Sequence, residues 1–198
     1  LNQLLFGRDQ NQLMELSRIP AFASPTIFGK YFDPIESDPA EIQKHWLNAQ
    51  DDICRRTQEI VYIKTHNLNA KFGEHHFTSE KYTFSVIYLV RDPRDVLVSY
   101  AKHSGLSLDD MRDAMLFPRH KIGEGPDYVE FIGDWRTHVL TWEKALSRPR
   151  LLLRYEDLID DPITQFRRLA DFTGVRIADP DLAEIVDSVH FDALKARE

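Results

Sequence analysis

Val86-Ile87-Tyr88-Leu89-Val90-Arg91-Asp92-Pro93-Arg94-Asp95-Val96-Leu97-Val98-Ser99-Tyr100 is the stretch that decides the fold. An apolar, β-branched run stops at a charged turn, and an amphipathic pattern follows it. Residues 84–90 read as a buried strand of a mostly parallel sheet, since they are apolar on both faces. Asp92 stands where a helix N-cap would, Pro93 suits the first helical position, and Asp95 adds a carboxylate to the first turn. Val96, Leu97, Tyr100 and Ala101 then form one apolar face. The whole is a strand–turn–helix unit with Arg91 at the strand's carboxyl end, where open α/β sheets bind ligands. A guanidinium beside a helix N-terminus suits a phosphate. The plainer alternative is a capped unit in which Arg91 pairs with Asp95 or another acid.

Outward from this unit, strands and helices alternate. On the N-terminal side, Asp38-Pro39 opens a helix through about Thr57, with Ile42, Trp46, Leu47 and Ile53 on one face. Residues 59–63 read as a short strand ending in Lys64-Thr65-His66. Before it, residues 1–39 are broken by four prolines and carry Phe22, Phe28, Tyr31 and Phe32. This segment reads equally as a lid over an acceptor or as an apolar wrap over the core. On the C-terminal side, Gly105 ends the Arg91–Ser99 helix and Ser107 to Leu116 forms another. A glycine- and proline-marked connection spans 117–126, and Val129, Ile132, Trp135, Val139, Trp142 and Leu146 predict an amphipathic helix over 127–147. A third strand covers 150–154. Asp161-Pro162 caps a helix whose core face is Phe166, Leu169, Ala170 and Phe172, with Gly174 just past its end, and Pro180 starts a last helix to about Val189. Such alternation points to an α/β domain.

Bulk properties narrow the function. The 198 residues fit one domain, and a 42% hydrophobic composition is ordinary for a globular core. A net charge of −7 argues against a general nucleic-acid binder. No apolar run approaches the roughly 18 residues a membrane crossing needs. Cys54 is the one cysteine, and there is no Asn-x-Ser/Thr acceptor site. Together these lean to a reducing, cytoplasmic setting. His75-His76 lacks a third ligand at suitable spacing, so no metal site is expected there.

Five segments carry a family resemblance. Tyr88 to Tyr100 is similar to the 3′-phosphate-binding segment of sulfotransferases that use 3′-phosphoadenosine 5′-phosphosulfate (PAPS). There an arginine and a serine eight residues later hold the 3′-phosphate; the resemblance places these roles on Arg91 and Ser99. Lys64-Thr65-His66 resembles the catalytic segment, which implies His66 as the base for the acceptor hydroxyl and Lys64 as stabiliser of the transferring sulfuryl group. The physics agrees: charge builds on the departing bridging oxygen, where a cation lowers the barrier, and an imidazole can deprotonate a weak nucleophile at neutral pH. Tyr155-Glu156-Asp157-Leu158 resembles the segment whose tyrosine lies by the adenine, implying that role for Tyr155. Phe191 and Leu194 match the apolar positions of a segment that closes over the adenine, with His190 in place of the usual serine. Trp135 and His138 match a Gly-x-Trp-x-x-His-Val helix and read as packing residues.

The resemblance runs from about Ile60 to Lys195 and implies a three-layer α/β sandwich with a central, mostly parallel sheet of the P-loop nucleoside-triphosphatase type. It implies transfer of a sulfuryl group from PAPS, leaving adenosine 3′,5′-bisphosphate (PAP), to a hydroxyl or amine of a small-molecule or glycan acceptor, without a metal. Neither Gly-x-x-x-x-Gly-Lys-Ser/Thr nor Pro-Lys-Ser-Gly occurs in the sequence, so residues 1–198 are expected to be one sulfotransferase-like domain incomplete at both ends. A P-loop kinase using ATP, or a non-catalytic nucleotide-binding scaffold, are the alternatives, and a homodimer stays open.

Overall fold

The computed structural model describes residues 19–33, 36–123, 128–144 and 147–188. The chain divides into two compact units, one built from Ile19–Val86 and Pro93–Arg150, the other including Ile87–Asp92 and the chain from Leu151 onward.

In the first unit, α1 (Pro25–Phe28) is followed by a 3-10 helix (Pro39–His45) that runs into α2 (Trp46–Arg56). Thus the helix expected over 38–57 forms, with a tighter first half. A hairpin follows, β1 (Lys71–Phe72) paired antiparallel with β2 (His75–His76), turning at Gly73 with φ +57°. The adjacent histidines therefore sit in a strand, His76 opposite Lys71. The next strand, β3 (Val86–Val90), belongs from Ile87 on to the other unit; it is shorter than the buried strand expected over 84–90, with Phe84 and Leu89 exposed. The first unit resumes with α3 (Pro93–Ser104) and α4 (Leu108–Leu116), the last capped by the Ser107 hydroxyl, which accepts the Asp110 N–H at 3.1 Å. Gly105, at φ +67°, ends α3 as expected.

Two sequence expectations in this unit need correction. Residues 59–63 do not form a strand: the backbone pairs only around Lys64, in a parallel bridge to Ala21, and Ile60 and Val61 are exposed. The helix expected over 127–147 is α5 (Trp135–Lys144) alone, and residues ahead of it form β5 (Glu130–Phe131), antiparallel to β4 (Lys121–Ile122). The break is Gly133, whose φ of +65° lies in the left-handed region, followed by Asp134, whose carboxylate accepts the Thr137 N–H at 2.9 Å. Apolar spacing ran through both signals, and local backbone chemistry prevailed.

The core of this unit is aromatic. Trp46 is almost fully buried, with ring centroids of Phe72, Phe77 and Phe131 at 5.7, 5.2 and 5.7 Å in edge-on geometry. Phe22 lies edge-on to both Phe28 and Phe77. The N-terminal aromatics Phe22, Phe28 and Phe32 are thus buried core residues, the wrap of the two readings.

In the second unit, β6 (Arg150–Arg154) leads into α6 (Tyr155–Asp160), α7 (Pro162–Thr173) and α8 (Asp179–Ser188). Strands β3 and β6 pair in one parallel sheet. Leu151 and Leu153 point inward from β6 while Arg150, Leu152 and Arg154 are exposed, a period-two pattern. They pack with Leu169, Ala170, Leu182 and Ile185, and Ile87 and Phe166 close the edge of this cluster. Helix α7 has both expected ends: Asp161 accepts the Thr164 N–H at 3.3 Å, Pro162 starts the first turn, and Gly174 takes the left-handed cap at φ +75°.

Candidate active site

Lys64-Thr65-His66 lies in extended backbone tied on both sides. The Lys64 N–H donates to the Pro20 carbonyl at 3.0 Å, and the Lys64 carbonyl accepts the Phe22 N–H at 2.7 Å. Past it, the His66 N–H donates to Glu130 Oε1 at 2.7 Å, and the Thr65 hydroxyl to the same oxygen at 2.9 Å. His138 Nε2 lies 3.1 Å from the His66 carbonyl oxygen. A carbonyl only accepts, so Nε2 carries the proton in this contact. Burial pushes the His138 pKa below its ordinary 6.5, against the opposing pull of that bond. Further along, Trp142 Nε1 donates to the Asn67 carbonyl at 2.9 Å, the Phe131 N–H to Asn67 Oδ1 at 2.8 Å, and the Leu68 N–H to the Phe131 carbonyl at 2.8 Å. Asn67 and Leu68 are buried, whereas Lys64 and His66 are exposed. A buried, hydrogen-bonded anchor thus presents the exposed side chains of Lys64 and His66.

In the other unit, Arg91 directly follows β3 and Tyr155 begins α6. The Arg91 guanidinium carbon sits over the Tyr155 ring, 4.5 Å from its centroid, a cation–π arrangement. The turn beside it is held by Glu156, which accepts the Asp92 N–H at 2.8 Å. That bond, first among its causes, holds the Glu156 carboxyl below its usual 4.5. Arg91 and Tyr155, far apart in sequence, are therefore brought together by β3, β6 and the turn. Ser99 lies on α3 and is exposed. Phe191 and Leu194 lie outside the described residues. Among the described residues, no group of three or more His, Cys, Asp or Glu could hold a metal ion, and no helix is long and apolar enough to cross a membrane.

Sequence reading missed Glu130, Asn67 and Trp142 as supports of the His66 segment. Apolar periodicity places Glu130 within an amphipathic helix over 127–147. The signal that separates it is Gly133-Asp134, a left-handed residue followed by a helix cap.

Residues 13–198 match the model of the sulfotransferase domain, and the chain belongs to that family. Luciferin sulfotransferase of Photinus pyralis is 26% identical over 181 residues, covering 90% of this chain and 46% of that protein. Cytosolic sulfotransferase 15 of Arabidopsis thaliana is 32% identical over 151 residues, 68% of this chain and 40% of the relative. The chain thus spans less than half the length of these relatives. Among solved structures, retinol dehydratase in complex with androsterone and the inactive cofactor PAP superposes with a TM-score of 0.57 at 20% identity, over 91% of this chain and 55% of that one. A mouse sulfotransferase complexed with PAP gives 0.56 at 21%, over 73% and 51%. These likenesses show the fold: α/β, with the P-loop-like architecture of the sulfotransferases.

Proposed function

We propose that this chain is one sulfotransferase-like domain, residues 1–198, of an enzyme that moves a sulfuryl group from PAPS to a hydroxyl or amine of a small-molecule or glycan acceptor. The observation that carries the reading is the Arg91–Tyr155 stack at the carboxyl ends of β3 and β6, within a chain that matches the sulfotransferase domain almost throughout. A fixed guanidinium lying on an aromatic face is the donor chemistry a ribose-borne phosphate and its adenine call for. In this reading Arg91 and Ser99 hold the 3′-phosphate, and Tyr155, Phe191 and Leu194 accompany the adenine. The relatives solved with PAP support the choice of nucleotide.

Bound, PAPS supplies an activated sulfuryl group with an anionic leaving group. His66 takes the proton from the acceptor O–H or N–H as the new bond to sulfur forms in line with the one that breaks. Lys64 sets its ammonium charge against the oxygen on which negative charge accumulates, which lowers the barrier by favouring the transition state over the ground state. Both side chains are solvent-facing in the described structure, so an acceptor can reach them. No step in this scheme calls on a metal. A cytoplasmic location belongs to the same reading and draws support from the likeness to a plant cytosolic sulfotransferase. A homodimer is compatible with it.

The test is ligand selectivity. Arg91→Ala weakens binding of adenosine 3′,5′-bisphosphate far more than that of 5′-AMP, measured by calorimetry on both ligands. Equal losses would remove the 3′-phosphate clamp from the scheme.

A further inference from the structure

We propose that Glu130 is the positioning residue of the His66 segment, an inference that rests on His66 being the base. Its side chain is buried, at 8% exposure. One oxygen, Oε1, gathers donors from three successive residues: the Thr65 hydroxyl at 2.9 Å, the His66 N–H at 2.7 Å and the Asn67 side-chain amide at 3.3 Å. Thr65 Oγ1 in turn accepts the Asn67 N–H at 3.0 Å. A buried carboxylate is costly unless several donors meet it, and here they converge on a single atom.

The location of these bonds separates positioning from simple support. The segment is already anchored to β5 and α5 through the Asn67 carbonyl and side chain and the Leu68 N–H. Glu130 adds what those bonds lack, a hold on the peptide immediately before the His66 Cα. The His66 carbonyl on the other side meets His138. With both flanking peptide planes fixed, the imidazole is left mainly its own side-chain torsions. A base must stand within hydrogen-bond reach of the proton it removes, and small misplacements are expensive in rate.

The experiment compares Glu130→Ala, Glu130→Gln, Glu130→Asp and His66→Ala in the full native chain, with PAPS as donor and 4-nitrophenol as acceptor probe. Glu130→Ala is expected to lower kcat about 10- to 100-fold while donor KM and PAP affinity stay within about twofold. Glu130→Gln keeps an acceptor oxygen in place and recovers most of the rate. Glu130→Asp keeps the charge but withdraws the oxygen by one methylene, and falls between; it carries the test if the alanine variant does not fold. Independently of turnover, the His66 amide exchanges its hydrogen faster in the alanine and aspartate variants and not in the glutamine one. Wild-type kcat in the aspartate or alanine variant, parallel loss of kcat and PAP affinity, or unchanged His66 amide exchange overturns the inference. Should His66→Ala turn over at the wild-type rate, the base assignment itself fails, and this role with it. An inactive His66→Ala beside fully active Glu130 variants sinks only the role of Glu130.

Discussion

His138 shows how one residue couples the His66 segment to pH. Burial pushes its pKa below the ordinary 6.5, so the folded value lies under the unfolded one. On acidification the unfolded chain takes up the proton first. The contribution of neutral His138 to stability is therefore complete above about pH 6.5 and declines as pH falls through that value towards the folded pKa. Denaturant melts between about pH 8 and 5 should show this slope in the wild type and a flatter one in His138→Asn. A slope that survives the substitution assigns the effect to another group. His66, whose carbonyl His138 holds, is the side chain that a loosened His138 would release first. The sequence pattern assigns Trp135 and His138 packing roles; in the structure His138 meets the His66 backbone through a hydrogen bond.

At the scale of elements, the ends of helices and strands carry most of the definition. Asp161→Ala removes the cap of α7 and should cost about 1 kcal/mol in thermal or urea unfolding. Leu182→Ala, within the cluster formed by β6, α7 and α8, should cost about 2–5 kcal/mol. Glu156→Ala frees the Asp92 N–H and with it the turn that carries Arg91, so PAP affinity should drop several-fold while 5′-AMP affinity changes little. Because the Glu156 carboxyl is held below its usual 4.5, its support of the turn is present above that pH and is lost as pH falls through the lowered value. These same ends were the legible part of the sequence. Pro93, Ser107, Asp161-Pro162 and Gly174 each announce a boundary through chemistry that depends on nearest neighbours. What could not be read depends on remote partners. Residues 59–63 have strand composition yet pair only at Lys64, and the buried Glu130 looked like one more polar position of a helix. The meeting of Arg91 with Tyr155 was reachable only because both segments carried a family pattern; nothing in either stretch alone prescribes a stacked pair.

For the whole molecule, the nucleotide is the sharpest probe. Adenosine 3′,5′-bisphosphate at about 100 times its dissociation constant should stabilise the protein by ~2.7 kcal/mol, seen as a raised melting temperature. ATP with magnesium at equal concentration should shift it far less, and the reverse order would favour phosphoryl over sulfuryl transfer. The handover from β6 to α6 bears on any attempt to re-engineer such a response. Arg154 ends the strand and is at the same time the cap of the helix that Tyr155 begins. No spare residue exists between them, so spacing is itself an ingredient of the Arg91–Tyr155 arrangement. A single glycine inserted after Arg154 would preserve every side chain in the protein and still turn the phenol ring away from its guanidinium partner.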